Sequence, residues 1–315
     1  FEFINGFHDT ANAIATSVYT KALTPGRAIM LAAVMNFIGA LVSERVASTI
    51  SKNLVSVQLA QYVILAALIG AIIWNLLTWW RGIPSSSSHA LIGSLLGATI
   101  VYTSSAASIK IDGVLEKVVI PLFLSPVVGL IVGFTIMTLI RRLCAHWSQN
   151  RVNKTFLKLQ IFSAALVAYS HGNNDAQKTM GIITLALISG GMLGADAGVP
   201  LWVKISCAAT MAVGTSIGGW KIMKTMGSKV TKLEPASGFS AKTSAALVIE
   251  GASFLGAPIS TTQVITASVM GAGSAKRTSA VKWGLAGDIA KAWILTLPVS
   301  MILGGTACWI IGFFV

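Results

Sequence analysis

Asn5-Gly6-Phe7-His8-Asp9-Thr10-Ala11-Asn12 sets an acid, a histidine, two amides and a glycine inside a run that otherwise reads as membrane-buried. An ionisable group at that depth costs about 2.5–3.5 kcal/mol even on insertion scales, so it marks a functional position. A second version stands at Ser170-His171-Gly172-Asn173-Asn174-Asp175-Ala176-Gln177-Lys178. Two Gly-x-x-Asp motifs at corresponding places imply a duplicated transporter rather than a soluble domain.

Composition agrees. The 315 residues are 54% hydrophobic and 10% charged, with mean hydropathy +0.77. Soluble domains carry about 25% charged residues, so this chain is expected to be an all-α polytopic membrane protein embedded in a lipid bilayer. The net charge of +13 does not point to nucleic acid. Its basic residues cluster in gaps between apolar segments and lack aromatic interleaving, so no nucleic-acid partner is expected. Cys144, Cys207 and Cys308 are scattered and read as small buried hydrophobes. Residue 1 already lies in an apolar run without a signal-peptide pattern, and a further stretch of the first helix is expected before it.

Ten apolar segments follow by length and content: 1–22, 28–42, 62–80, 90–102, 118–140, 161–188, 201–220, 243–255, 263–270 and the stretch after Lys282. The first and sixth are expected to break at the Asp motifs, the sixth into two half-helices. Gly6 and Asp9 align with Gly172 and Asp175; Pro84, Ser86, Ser87 and Ser88 align with Pro258, Ser260, Thr261 and Thr262. The expected fold is therefore two inverted repeats, 1–150 and 151–315, of about five hydrophobic segments each. Broken helices or re-entrant hairpins lie at their centre, and together the repeats form one transport domain. Fifteen of the 23 Lys and Arg residues fall in Lys21–Arg27, Arg141–Lys158, Lys221–Lys242 and Lys276–Lys282, the expected cytoplasmic connections. Both ends of the chain are then expected outside.

Two constellations carry chemistry. Asp9 and Asp175, with Asn5, Asn12, Asn174 and Gln177, offer hard oxygen ligands for a coupling cation, and unwound backbone would add carbonyls. A protonatable carboxylate would instead serve proton coupling. The bland alternative is that each Asp caps a half-helix or pairs with a neighbour such as Lys178. The second constellation is Pro84-Ser85-Ser86-Ser87-Ser88-His89 with Pro258-Ile259-Ser260-Thr261-Thr262-Gln263. A proline followed by hydroxyls begins a helix, and its free amides with Ser86, Ser87, Ser88, Ser260, Thr261 and Thr262 form an oxyanion site of neutral donors. Ordinary capping is the alternative. His8, His89 and His171 read as hydrogen-bonding supports, since no tight cluster suggests a metal site. Lys178 is a support that attracts an anion. Asp288 and Lys291, three apart, read as a structural pair. Trp74, Trp79, Trp80, Trp202 and Trp220 read as interface or packing residues.

Gly6-Phe7-His8-Asp9-Thr10-Ala11-Asn12, Ser170-His171-Gly172-Asn173-Asn174-Asp175-Ala176-Gln177-Lys178 and the paired Pro-x-Ser-Ser/Thr-Ser/Thr loops resemble the inorganic phosphate transporter (PiT) family over essentially the whole chain. The bacterial low-affinity phosphate permeases are the nearest group. The resemblance implies a non-enzymatic, multi-pass plasma-membrane symporter that moves inorganic phosphate with Na⁺ or H⁺ by alternating access. Some members carry a metal–phosphate complex with a divalent metal, and some relatives carry sulfate. No cofactor beyond the coupling ion is implied, and a homodimer is left open. By motif, Asp9, Asn12 and Asp175 match the family's essential positions, and Ser87, Ser88, Thr261 and Thr262 its phosphate-contacting loops. Gln263 stands where many members have His, and Lys178 where the first copy has Asn12, so the two Asp sites are expected to differ. Outside this class, an intramembrane phosphohydrolase on His8-Asp9 and a passive anion channel are the competing readings.

Overall fold

The computed structural model describes residues 1–217 and 234–315. Within them the regular structure is helical, apart from one isolated β-bridge between Val55 and Ile109. The helices are α1 (Glu2–Tyr19), α2 (Pro25–Ala40), α3 (Arg45–Asn53), α4 (Gln61–Arg81) and α5 (Ser87–Thr103). After these come α6 (Ile111–Leu143, with a π-turn at Leu115–Val119), α7 (Gln149–Ser189), α8 (Leu201–Ile217), α9 (Pro235–Phe254), α10 (Thr261–Ser274) and α11 (Trp283–Gly312).

Among the described residues, α4, α6 and α11 are long and apolar enough to cross a membrane, and α2 with α3, bent by 62°, meets the same measure only as a pair, as a broken span or a re-entrant loop does. The expected ten apolar segments therefore do not all behave as spans. The 14 residues of α10 reach only about 21 Å, short of a hydrocarbon core of about 30 Å. Large apolar side chains such as Met30, Phe123, Val127, Leu201, Leu247 and Ile302 face outward, while Asp9, His171, Asp175 and Lys178 lie inside. That polarity is the inverse of a soluble protein's and fits a multi-pass membrane protein.

Two long helices correct an expectation. α1 and α7 run unbroken through their Asp motifs, and α7 is 41 residues of continuous helix. The motif glycines permit close packing rather than unwinding. A Cβ on Gly6 would lie 2.5 Å from the Met211 carbonyl of α8, and one on Gly172 would collide with the Asn36 carbonyl of α2.

The breaks fall instead at the hydroxyl loops, and they are built alike. α4 ends at Gly82 (φ 66°) and α9 is followed by Gly256 (φ 67°). In each, the glycine N–H bonds three residues back and the next N–H five back: Gly82 to Trp79, Ile83 to Thr78, Gly256 to Ser253, Ala257 to Ala252. This left-handed ending favours glycine. A proline follows, then a serine that caps the next helix. The packing is reciprocal: α5 rests on α4 and α11, α10 on α9 and α6. Both short helices are thereby buried at the centre.

Lys242 belongs to α9 and is buried, which corrects its assignment to a cytoplasmic connection. Lys221, Lys224, Lys229, Lys232 and Trp220 lie outside the described residues. Asp288 and Lys291 do pair, at 3.0 Å, on the exterior. Trp80 and Trp202 are exposed, whereas Trp79 packs edge-on against Phe7.

Candidate functional site

Asp9 stands at the middle of α1, 2% exposed. Its Oδ1 lies 2.6 Å from His8 Nδ1 and accepts the Thr262 hydroxyl at 2.9 Å. Asn12, one turn on, donates to Thr262 Oγ1 at 2.9 Å. The far nitrogen of His8 reaches Thr78 Oγ1 at 3.3 Å, and Thr78 accepts the Ser85 hydroxyl at 2.8 Å. The first Asp is thus held by Thr262 of α10 and by its neighbour His8, which Thr78 of α4 holds in turn.

Asp175 on α7 has another setting. Its Oδ1 pairs with the Lys178 ammonium. Its Oδ2 lies 3.1 Å from His171 Nε2 and accepts the Thr261 hydroxyl at 2.9 Å. His171 is fixed from behind by Asn36 Oδ1 at 3.1 Å. Lys178 also donates to Ser88 Oγ and, at 2.7 Å, to the Ile259 carbonyl. Ser88 donates to that same carbonyl at 3.2 Å. One ammonium therefore ties Asp175 to both hydroxyl loops, which meet at this point.

The six hydroxyls divide by task. Ser86 and Ser260 cap α5 and α10, accepting the amides of His89 (3.2 Å) and Gln263 (3.3 Å). Ser88, Thr261 and Thr262 reach the Lys178 and Asp groups, and Ser87 Oγ is buried with no partner. The first-turn amides of Ser87, Ser88, Thr261 and Thr262 have no intrahelical acceptor, so two helix starts converge their positive ends on one region. His89 Nδ1 lies 2.7 Å from Ser86 Oγ, while its Nε2 and both polar atoms of Gln263 are buried and unpartnered.

The predicted cation ligands separate likewise. Asn5, Asn12 and Asn174 each bury an unpartnered amide oxygen. Leaving such an acceptor unsatisfied costs about 1–3 kcal/mol, and a hard cation satisfies it. Asn174 uses its other end on Ser253 (2.9 Å) and the Ala257 carbonyl (3.2 Å). Gln177 is not brought to the cluster. Its oxygen accepts the Val46 and Ala47 amides at 2.9 and 3.3 Å, capping α3, and its nitrogen bonds Asn173.

Some buried polar groups lie outside the motifs. Glu2, 4% exposed, takes the Thr179 hydroxyl and the Asn5 amide. Asn36 joins Thr10 (3.0 Å), Thr215 (3.1 Å) and His171 across α1, α2, α7 and α8. An isolated Asn between Met35 and Phe37 was the available signal, as was Glu2 at seven residues from Asp9 on one helix face.

Residues 5–304 match the phosphate transporter family. A "Probable low-affinity inorganic phosphate transporter" of Bacillus subtilis (strain 168) is 48% identical over 314 residues, 99% of this chain and 94% of its own length. A protein of the same description from Rhizobium meliloti (strain 1021) is 46% identical over 96% of this chain and 91% of its own. A solved structure described as "The sodium-dependent phosphate transporter" superposes with TM-score 0.89 at 24% identity, over 100% of this chain and 96% of that one, and shares the fold. The family comprises transporters rather than enzymes, in keeping with a buried acid, amide and hydroxyl cluster set among apolar helices. This chain belongs to the phosphate transporter family.

Proposed function

We propose that the chain imports inorganic phosphate across the plasma membrane together with a cation, by alternating access between two inverted halves. The observation that carries the reading is that the two carboxylates and the anion cradle share residues: Thr262 bonds Asp9, and Thr261 bonds Asp175. A phosphate at the first-turn amides of α5 and α10 meets neutral donors, which hold it without trapping it. It also meets two carboxylates against one ammonium. That charge balance repels an anion unless a cation enters with it. Coupling follows from electrostatics.

The unpartnered oxygens of Asn5, Asn12 and Asn174 favour a hard metal cation, and the solved structure that shares the fold is described as sodium-dependent. Na⁺ is therefore the first reading. The His8–Asp9 and His171–Asp175 contacts favour H⁺ as the second. The matched loops and reciprocal packing support the inverted halves, and the basic Arg141–Lys158 connection supports a cytoplasmic face there.

Proteoliposomes with separately imposed Na⁺ and H⁺ gradients test this. Labelled phosphate is expected to accumulate with one gradient, and an excess of sulfate to leave uptake unchanged. Flux that ignores both gradients would make the protein a channel. Equal competition by sulfate would make it a general oxyanion permease, and uptake that requires a divalent metal would make the cargo a metal–phosphate complex.

A further inference from the structure

Lys242, the eighth residue of α9, is 1% exposed. Its ammonium donates to the Ser17 hydroxyl of α1. All ten acidic residues of the sequence are among the described residues, and none pairs with Lys242. A buried lysine whose partner among the described residues is a neutral hydroxyl burdens the fold, and a methionine would fill the space without that burden. The lysine therefore calls for a use.

Its position supplies one. Ser17 lies eight residues from Asp9 on α1, about 12 Å along the axis and about 80° round it, next to Thr16, which does share the face of Asp9. Between them Asn12 Oδ1 and Thr16 Oγ1 are buried and unpartnered. One turn beyond, Thr20 donates to Gln160 at 2.7 Å, and Gln160 donates to the carbonyl of Pro235 at the start of α9, also at 2.7 Å. A polar stripe thus leads from the central carboxylates, past Lys242, to the end of α1 that precedes Lys21–Arg27.

We infer that Lys242, with Ser17 and Thr16, is a second anion-binding station, which takes a tetrahedral oxyanion of the phosphate class between the central site and the Lys21–Arg27 face. The inference rests on the phosphate reading above. A lysine acts on phosphate as a point charge on a flexible stem, which suits a station that holds briefly and releases.

Inside-out and right-side-out vesicles from cells producing the full chain separate this role from a structural one. Lys242→Gln is expected to raise the KM for labelled inorganic phosphate at the Lys21–Arg27 face about tenfold, the loss of one charge-assisted hydrogen bond. The KM at the opposite face should stay within about twofold. A change of equal size at both faces, or no change, overturns the inference. If Lys242→Gln is not recovered in membranes, Ser17→Ala takes its place, with the same one-sided rise of about threefold; the absence of that rise overturns the inference equally. Vesicles of the unaltered chain that take up no phosphate at either face would remove the phosphate reading and the station with it, a result distinct from the others.

Discussion

The two Asp residues stand at matching places in their Gly-x-x-Asp motifs and are wired differently. Asp9 is held by His8, Thr262 and, through Thr262, Asn12. Asp175 is held by His171 and Thr261, but Lys178 stands where the first copy has Asn12, and its ammonium rests on the carboxylate. Both halves bury an unpartnered amide oxygen, at Asn12 and at Asn174, but only the second sets an ammonium, that of Lys178, on its carboxylate. On the proposed function, the difference puts the mobile cation on the Asp9 side first. Lys178 also touches both hydroxyl loops, so the resident cation is placed where an anion at those loops would compete with Asp175 for it.

The sharpest way to break this contrast is to neutralise each acid in turn. Asp9→Asn and Asp175→Asn are both expected to abolish phosphate uptake, yet to differ in stability. Asp175→Asn strands a buried ammonium and should cost about 3–5 kcal/mol, whereas Asp9→Asn should cost about 1 kcal/mol. Thermal unfolding in detergent distinguishes them, and equal losses would show the sites to be alike. Next in size, Lys178→Asn makes the second site resemble the first. It should lower stability by about 3 kcal/mol in cation-free buffer, recover much of that with the coupling cation, and add one cation per phosphate in paired tracer fluxes.

Smaller effects probe the scaffold that the halves share. Gly172→Ala must push α2 from α7 and is expected to cost about 1–3 kcal/mol, read as a lower Tm. Gly26→Ala meets open space and should change little. Last, Ser86→Ala and Ser260→Ala each remove a helix cap worth about 1 kcal/mol, with uptake within about threefold of the unaltered chain. Ser86 should cost slightly more because His89 also loses a partner.

Much of this was legible in the chain. Buried acids in apolar runs are rare enough that Asp9 and Asp175 announced the centre, and the Pro-hydroxyl repeats announced the two helix starts. What misled was glycine beside a polar motif, which fits both unwinding and close packing. Only the neighbouring backbone distinguishes them, and Gly6 and Gly172 face the carbonyls of other helices. Gln177 looked like an oxygen ligand because its type and place were right; its partner, the start of α3, is 130 residues away in sequence. Lys242 looked like one more loop lysine because charge counting carries no depth. The division of the hydroxyls into caps and contacts depended on side-chain direction, which spacing alone does not fix.

The most direct test of a phosphate site built on cation-dependent carboxylates is equilibrium binding of labelled phosphate to the purified chain. Affinity would be measured as Na⁺ and pH are varied separately, in the unaltered chain and in Asp9→Asn. Affinity is expected to rise at least about tenfold with one of the two cations, and phosphate to raise affinity for that cation by the same factor, because linkage is reciprocal. In Asp9→Asn that dependence should vanish. Phosphate affinity indifferent to both cations, or a dependence that survives in Asp9→Asn, would contradict it.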